Sequence, residues 1–94
     1  MDKLAEEVIE ERMGQLPEWT LSGDSIQRTL SFDDFKAAIA FVNTLADMAE
    51  AANHHPDILI RWNKVTLTLS THDAGGLTSR DFDLAGKIEQ ATTG

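Results

Sequence analysis

The sequence predicts an α+β fold: a four-stranded antiparallel sheet with helices packed on one face, in the order α-β-β-α-β-β-α. Three observations carry that expectation. Apolar residues recur at helical spacing in three stretches, near residues 2–13, 31–52 and 78 onward. Between them lie two pairs of β-like runs, each pair joined by a turn short enough for an antiparallel hairpin. No internal repeat, linker or low-complexity tract interrupts the pattern, so residues 1–94 read as one domain.

The first helix is expected over residues 2–13. Leu4, Ala5, Val8, Ile9 and Met13 share a broad stripe, Glu6, Glu7, Glu10 and Glu11 form the wet side, and Gly14 is a stop. Pro17 breaks the pattern. Trp19–Leu21 and Ile26–Leu30 then form a hairpin around the turn residues Ser22-Gly23-Asp24-Ser25. Ser31-Phe32-Asp33-Asp34 has the spacing of a capping box, and the helix it opens runs to about Ala52. That helix carries two apolar stripes, one through Phe35, Ala38, Ile39, Val42, Ala46 and Ala49, the other through Phe41, Leu45, Met48 and Ala52. Two stripes imply burial over more than a single face, against a partner subunit or another element of the chain.

The second hairpin pairs Ile58–Trp62 with Val65–Thr71 around an Asn63-Lys64 turn. Val65, Leu67 and Leu69 alternate with Thr66, Thr68 and Ser70, so one face is apolar and the other polar. Continued through the strand end, the same parity places His72 off the apolar face. Asp73–Leu77 is a loop, and Thr78 caps a last helix carrying Phe82, Leu84, Ala85 and Ile88.

Composition excludes several classes. Sixteen acids against eight bases give a formal charge of −8, with no Lys/Arg run. Such a surface repels phosphate backbones and anionic membranes, so neither nucleic acid nor a membrane is an expected partner. The start, Met1-Asp2-Lys3-Leu4, lacks the basic and apolar run of a signal peptide, and no segment reaches the roughly 20 apolar residues that span a bilayer. There is no cysteine, hence no disulfide or thiolate metal site, in keeping with a reducing compartment. A soluble cytoplasmic protein is expected. A chain this short buries about two-thirds of its unfolded surface, which makes oligomerisation the natural remaining stabiliser.

The chemistry is concentrated in Glu50-Ala51-Ala52-Asn53-His54-His55-Pro56 and, downstream, Trp62, His72 and Asp81. All three histidines fall here. Imidazole is the side chain best suited to moving protons near neutral pH. Each residue also has a plainer reading. Histidine is favourable at a helix C-terminus and proline follows helix stops. Asp81 completes a Thr-x-x-Asp capping box with Thr78, Trp62 fits a packed strand aromatic, and His72 fits an exposed loop. Glu50 near a helix C-terminus is mildly unfavourable, which hints at a use other than stability. Three histidines can hold a catalytic zinc, but no zinc-ligand spacing is present, and adjacent helical residues diverge by about 100°.

Taken together, an acid, three residues, His-His-Pro, an aromatic six positions on, a histidine ten further and then an aspartate resemble the pattern of the pterin-4a-carbinolamine dehydratase family. The run Thr71-His72-Asp73-Ala74-Gly75-Gly76-Leu77-Thr78, followed by Asp81-Phe82, is similar to that family's segment around its last histidine. The resemblance covers nearly the whole chain. It implies a hydro-lyase that removes water from 4a-hydroxytetrahydropterin to give quinonoid dihydropterin, recycling the tetrahydropterin used in aromatic amino acid hydroxylation. Pterin is then the substrate, with no cofactor and no metal. By similarity, His54 and His72 transfer protons and His55 holds and orients the pterin, all three counting as catalytic. Glu50, Asp81, Arg80 and Trp19 are the implied substrate-binding set. Asn53 stands where some members carry an acid. The family also implies a homodimer or homotetramer and a functional link to an aromatic amino acid hydroxylase. The competing expectation is a non-catalytic dehydratase-like assembly or interaction module, such as a carboxylase assembly factor. A zinc hydrolase is the third.

Overall fold

A computed structural model describes residues 2–93. The elements are α1 (Glu6–Gly14), β1 (Thr20–Ser22), β2 (Ser25–Ser31), α2 (Phe35–Ala52), β3 (Asp57–Arg61), β4 (Lys64–Leu69) and α3 (Ser79–Thr93), with a 3-10 turn at His72–Ala74. All strand pairings are antiparallel, in the order β1-β2-β4-β3. The expected fold class and element order are both present.

The alternation in β4 sets the layers. Val65, Leu67 and Leu69 are buried together with Ile26 and Leu30 of β2, and α2 and α3 pack over them. Phe82, Leu84, Ala85 and Ile88 supply the α3 side of this core. Thr66 and Thr29 face away and meet across the strands at 2.9 Å.

Several boundaries differ from expectation. Helix α1 begins at Glu6 because Leu4 stays extended, its N–H donating to the Leu77 carbonyl at 2.8 Å. No α1 residue is fully buried; Ile9 and Met13 only flank the core. The cap of α2 is Asp34, whose carboxylate accepts the Ala37 N–H at 2.8 Å. Ser31, expected as the cap, is instead the last residue of β2, paired with Lys64. Of the two α2 stripes, the one through Phe41, Leu45, Met48 and Ala52 is covered by the chain itself. Phe35 and Ala46 of the other remain exposed.

The β3–β4 turn is centred on Trp62-Asn63, not Asn63-Lys64, because Arg61 and Lys64 already pair. Asn63 is pinned from both sides: its carbonyl accepts the Phe32 N–H and its side-chain amide donates to the Phe32 carbonyl, each at 2.9 Å. Trp62 is left to take the positive φ of 52° that a two-residue turn requires. Its ring is exposed at the far end of β3 from His55.

The end of α2 matters most for function. Asn53 is left-handed, with φ 50° and ψ 43°. Its N–H donates to the Glu50 carbonyl and the His54 N–H to the Ala49 carbonyl, the two bonds of a Schellman stop. Asparagine tolerates this conformation where most side chains do not. Asn53→Ala is therefore expected to lower stability by about 1 kcal/mol and Asn53→Gly to leave it nearly unchanged. In a chain of this size thermal unfolding would show the alanine effect as a fall of about 4–8 °C. Equal midpoints for the two variants would contradict it.

Candidate active site

The register of the second hairpin assembles the site. Asp57, just after His54-His55-Pro56, pairs with Thr68, which brings the start of β3 beside Ser70, Thr71 and His72 at the end of β4. The chain then loops through Gly75, left-handed at φ 74°, and returns by the Thr71–Gly76 bridge to the first turn of α3. Thr78, Arg80 and Asp81 arrive there. The Schellman stop on α2 sends the two adjacent histidines in different directions. His54 turns inward and is buried, while His55 stays exposed.

Asp81 lies at the centre and is fully buried. Its Oδ1 shares a hydrogen bond with His54 Nε2 at 2.5 Å. Its Oδ2 accepts from the Thr71 hydroxyl at 2.8 Å and from the Thr78 backbone N–H at 2.9 Å. The Thr78 hydroxyl in turn accepts the Arg80 N–H at 3.3 Å. The Thr78 N–H to Asp81 bond is one arm of the expected capping box, while the Thr78 hydroxyl caps the Arg80 N–H instead of that of Asp81. One carboxylate therefore serves both readings of Asp81, closing a helix with one oxygen and holding an imidazole with the other.

That bond orients His54. With Asp81 ionised the carboxylate can only accept, and Nε2 then carries the proton. Among the described residues Nδ1 of the same ring has no hydrogen-bond partner, yet no buried side-chain nitrogen or oxygen lacks one. Nδ1 therefore lies on the side that solvent reaches. His54 also lines an open cavity of about 330 Å³, together with Asn53, His55, Thr71, His72 and Arg80, among others. All three histidines share it. His55 is held by Glu50, with Nε2 to Oε2 at 2.5 Å. His72 begins the 3-10 turn and is exposed, off the apolar face as parity required. Cavities of about 410 and 540 Å³ lie elsewhere, but neither is lined by a histidine.

Of the other expected residues, Arg80 lines the cavity and Glu50 reaches it only through His55. Trp19 does not reach it. Its indole is buried in the core, and Nε1–H donates to Glu89 at 2.8 Å, beside the Arg28–Glu89 ion pair at 2.8 Å. Trp62 is remote, at the far hairpin turn. Thr71 was not singled out by sequence reasoning, although a signal existed. It has the parity of Val65, Leu67 and Leu69, a polar residue at an apolar position that has to find a buried partner. Among the described residues, no three histidine or carboxylate side chains converge as a cation site would require.

Fold and site together define an α+β protein with three histidines on one cavity, one of them buried and anchored by a carboxylate. Comparison with known proteins narrows the class. Residues 2–91 match the pterin 4 alpha carbinolamine dehydratase family model, and the chain belongs to that family. It is a hydro-lyase family, the enzyme class expected from the sequence. A protein of Acidobacterium capsulatum, provisionally named pterin-4-alpha-carbinolamine dehydratase, is 58% identical over 89 residues, covering 95% of this chain and 97% of its own. One of Roseiflexus castenholzii with the same provisional name is 61% identical over 82 residues, covering 87% and 88%. The crystal structure of a transcriptional coactivator/pterin dehydratase from Brucella melitensis superimposes with a TM-score of 0.89 at 33% identity, covering 95% of this chain and 97% of that one. A pterin dehydratase-like protein identified as a RuBisCO assembly factor in the alpha-carboxysome has the same fold at a TM-score of 0.62 and 19% identity, covering 77% and 83%.

Proposed function

We propose that the protein dehydrates 4a-hydroxytetrahydropterin to quinonoid dihydropterin by histidine acid-base catalysis, with no metal or further cofactor. The observation that carries this reading is the His54 ring, anchored at Nε2 by buried Asp81, reached by solvent at Nδ1 and lining a cavity shared with His55 and His72. The reaction needs two proton transfers. An acid protonates the 4a-hydroxyl, which leaves as water when the C4a–O bond breaks. A base takes the proton from the adjacent ring nitrogen, and the N–H electron pair closes the new C=N bond.

Neutral His54, with Nε2–H fixed on Asp81, presents Nδ1 as the base, and the carboxylate stabilises the imidazolium that forms. His72, which lines the same cavity, is assigned the acid. His55, steadied by Glu50, holds and orients the pterin, and Arg80 borders the same cavity. Asp81 acts through His54 as a positioning residue. Trp19 has no part in this scheme, since its polar edge is taken by Glu89. The reading includes recycling of a tetrahydropterin used by a hydroxylase, and a homodimer or homotetramer in the cytoplasm. Exposed Phe35, Leu59 and Trp62 are apolar surface that such an assembly would cover.

The test follows the absorbance of freshly generated 4a-hydroxytetrahydropterin with and without catalytic amounts of protein. Strong acceleration is expected, and the double variant His54→Ala/His72→Ala should lose it. No acceleration by well-folded protein would overturn the dehydratase reading in favour of a binding or assembly role on the same fold.

A further inference from the structure

We propose that Thr71 is a positioning residue: its hydroxyl holds Asp81 so that His54 keeps its proton on Nε2 and offers Nδ1 to the cavity. This deepens the dehydratase reading and rests on it.

The direction of the hydroxyl chain is forced by what each group can do. Thr71 Oγ1 lies 2.8 Å from Asp81 Oδ2 and 2.9 Å from Thr78 Oγ1. A threonine hydroxyl has one proton, and a carboxylate can only accept. Thr71 therefore donates to Asp81, and Thr78 donates to Thr71. The Arg80 N–H closes the chain by donating to Thr78 at 3.3 Å. Every proton in the series points towards the carboxylate.

Two arrangements compete for the single proton between Asp81 and His54. In one, Asp81 is ionised, Nε2 is protonated and Nδ1 is free to accept. In the other, the proton sits on Asp81 Oδ1, Nε2 accepts it, and Nδ1 carries the remaining ring proton and cannot act as a base. Hydrogen bonds donated to the charged carboxylate favour the first. Asp81 has no solvent to supply them, being fully buried, so the donors must come from the protein. The Thr78 N–H is fixed by the backbone of the α3 cap. The Thr71 hydroxyl is the side-chain donor, itself buried at the end of β4, and it is the one a substitution can remove.

The experiment reads the His54 tautomer by imidazole ¹⁵N NMR and, in parallel, kcat and KM for pterin dehydration. Wild type, Thr71→Val and Thr71→Ser are compared. Wild type and Thr71→Ser should show the proton on Nε2. Thr71→Val should move ring-proton population to Nδ1 and lower kcat about tenfold, in the range of outer-shell partners that orient histidines, with KM within about twofold of wild type. Thr71→Ala removes the same donor without setting a methyl against Asp81, and is the second variant if valine prevents folding. A merely structural threonine would lower stability yet leave the tautomer of the folded protein unchanged. That result, or an Nδ1–H tautomer in the wild type, overturns the inference while leaving any measured dehydratase activity intact. The expected tautomer change in a protein that does not accelerate pterin dehydration would uphold the hold of Thr71 on His54 and sink the dehydratase reading instead.

Discussion

Replacing Asp81 with asparagine should cost both activity and stability, and by large amounts. Three donors converge on this buried carboxylate: His54 Nε2–H, the Thr71 hydroxyl and the Thr78 N–H. An asparagine of nearly the same shape offers one acceptor oxygen and an amide that donates. At least one incoming donor then meets another donor around a side chain that has no exposed surface. Leaving buried polar partners unmatched costs about 3 kcal/mol, most of it expressed as a lower denaturation midpoint. The surviving folded protein should lose about 10²–10⁴-fold in kcat, because the ring is no longer held in the tautomer that presents Nδ1. Rates normalised to folded protein, measured well below the variant's midpoint, separate the two effects. A kcat within twofold of wild type would show that Asp81 serves only the helix cap.

The second large effect separates His72 from His54. His72→Ala should lower kcat by about 10²-fold or more while the denaturation midpoint barely moves, since His72 is exposed and makes no hydrogen bond through its ring among the described residues. His54→Ala should lower kcat comparably and also destabilise, because it strips Asp81 of the donor on Oδ1 and leaves a space against a buried charge. Activity loss with and without stability loss, read on the same two proteins, is a pattern that a general packing role for both rings would not produce. If His72→Ala keeps kcat within twofold, the acid of the reaction has to be sought elsewhere in the cavity.

The contrast between these two histidines also shows what could be read in advance. The exposure of His72 agrees with the parity set by Val65, Leu67 and Leu69, although β4 ends at Leu69 and His72 opens a 3-10 turn. The opposite fates of His54 and His55 did not follow. They depend on the left-handed turn at Asn53, and its two carbonyl contacts to Ala49 and Glu50 exist only once α2 has ended there. The Thr-x-x-Asp spacing of the α3 cap was legible, whereas the second use of Asp81 was not, since its partner lies 27 residues away. Trp19 illustrates the converse. Its place in the sequence suggested the site, but burial turned its N–H to Glu89 of α3 instead.

By itself, then, the sequence determined the fold class, the order of the elements, the polar and apolar faces of β4 and the residue types available for proton transfer. These rest on local periodicity, caps and turns, which are properties of near neighbours along the chain. Only the tertiary structure decided which imidazole is buried against a carboxylate and which are exposed, that Thr71 lines the histidine cavity, and that Trp19 and Trp62 do not. Those outcomes depend on the β3–β4 register and on the docking of the α3 N-terminus against the end of α2. Hydrogen bonds between distant residues are set by burial, where each polar group has to be satisfied by whatever the fold brings within reach.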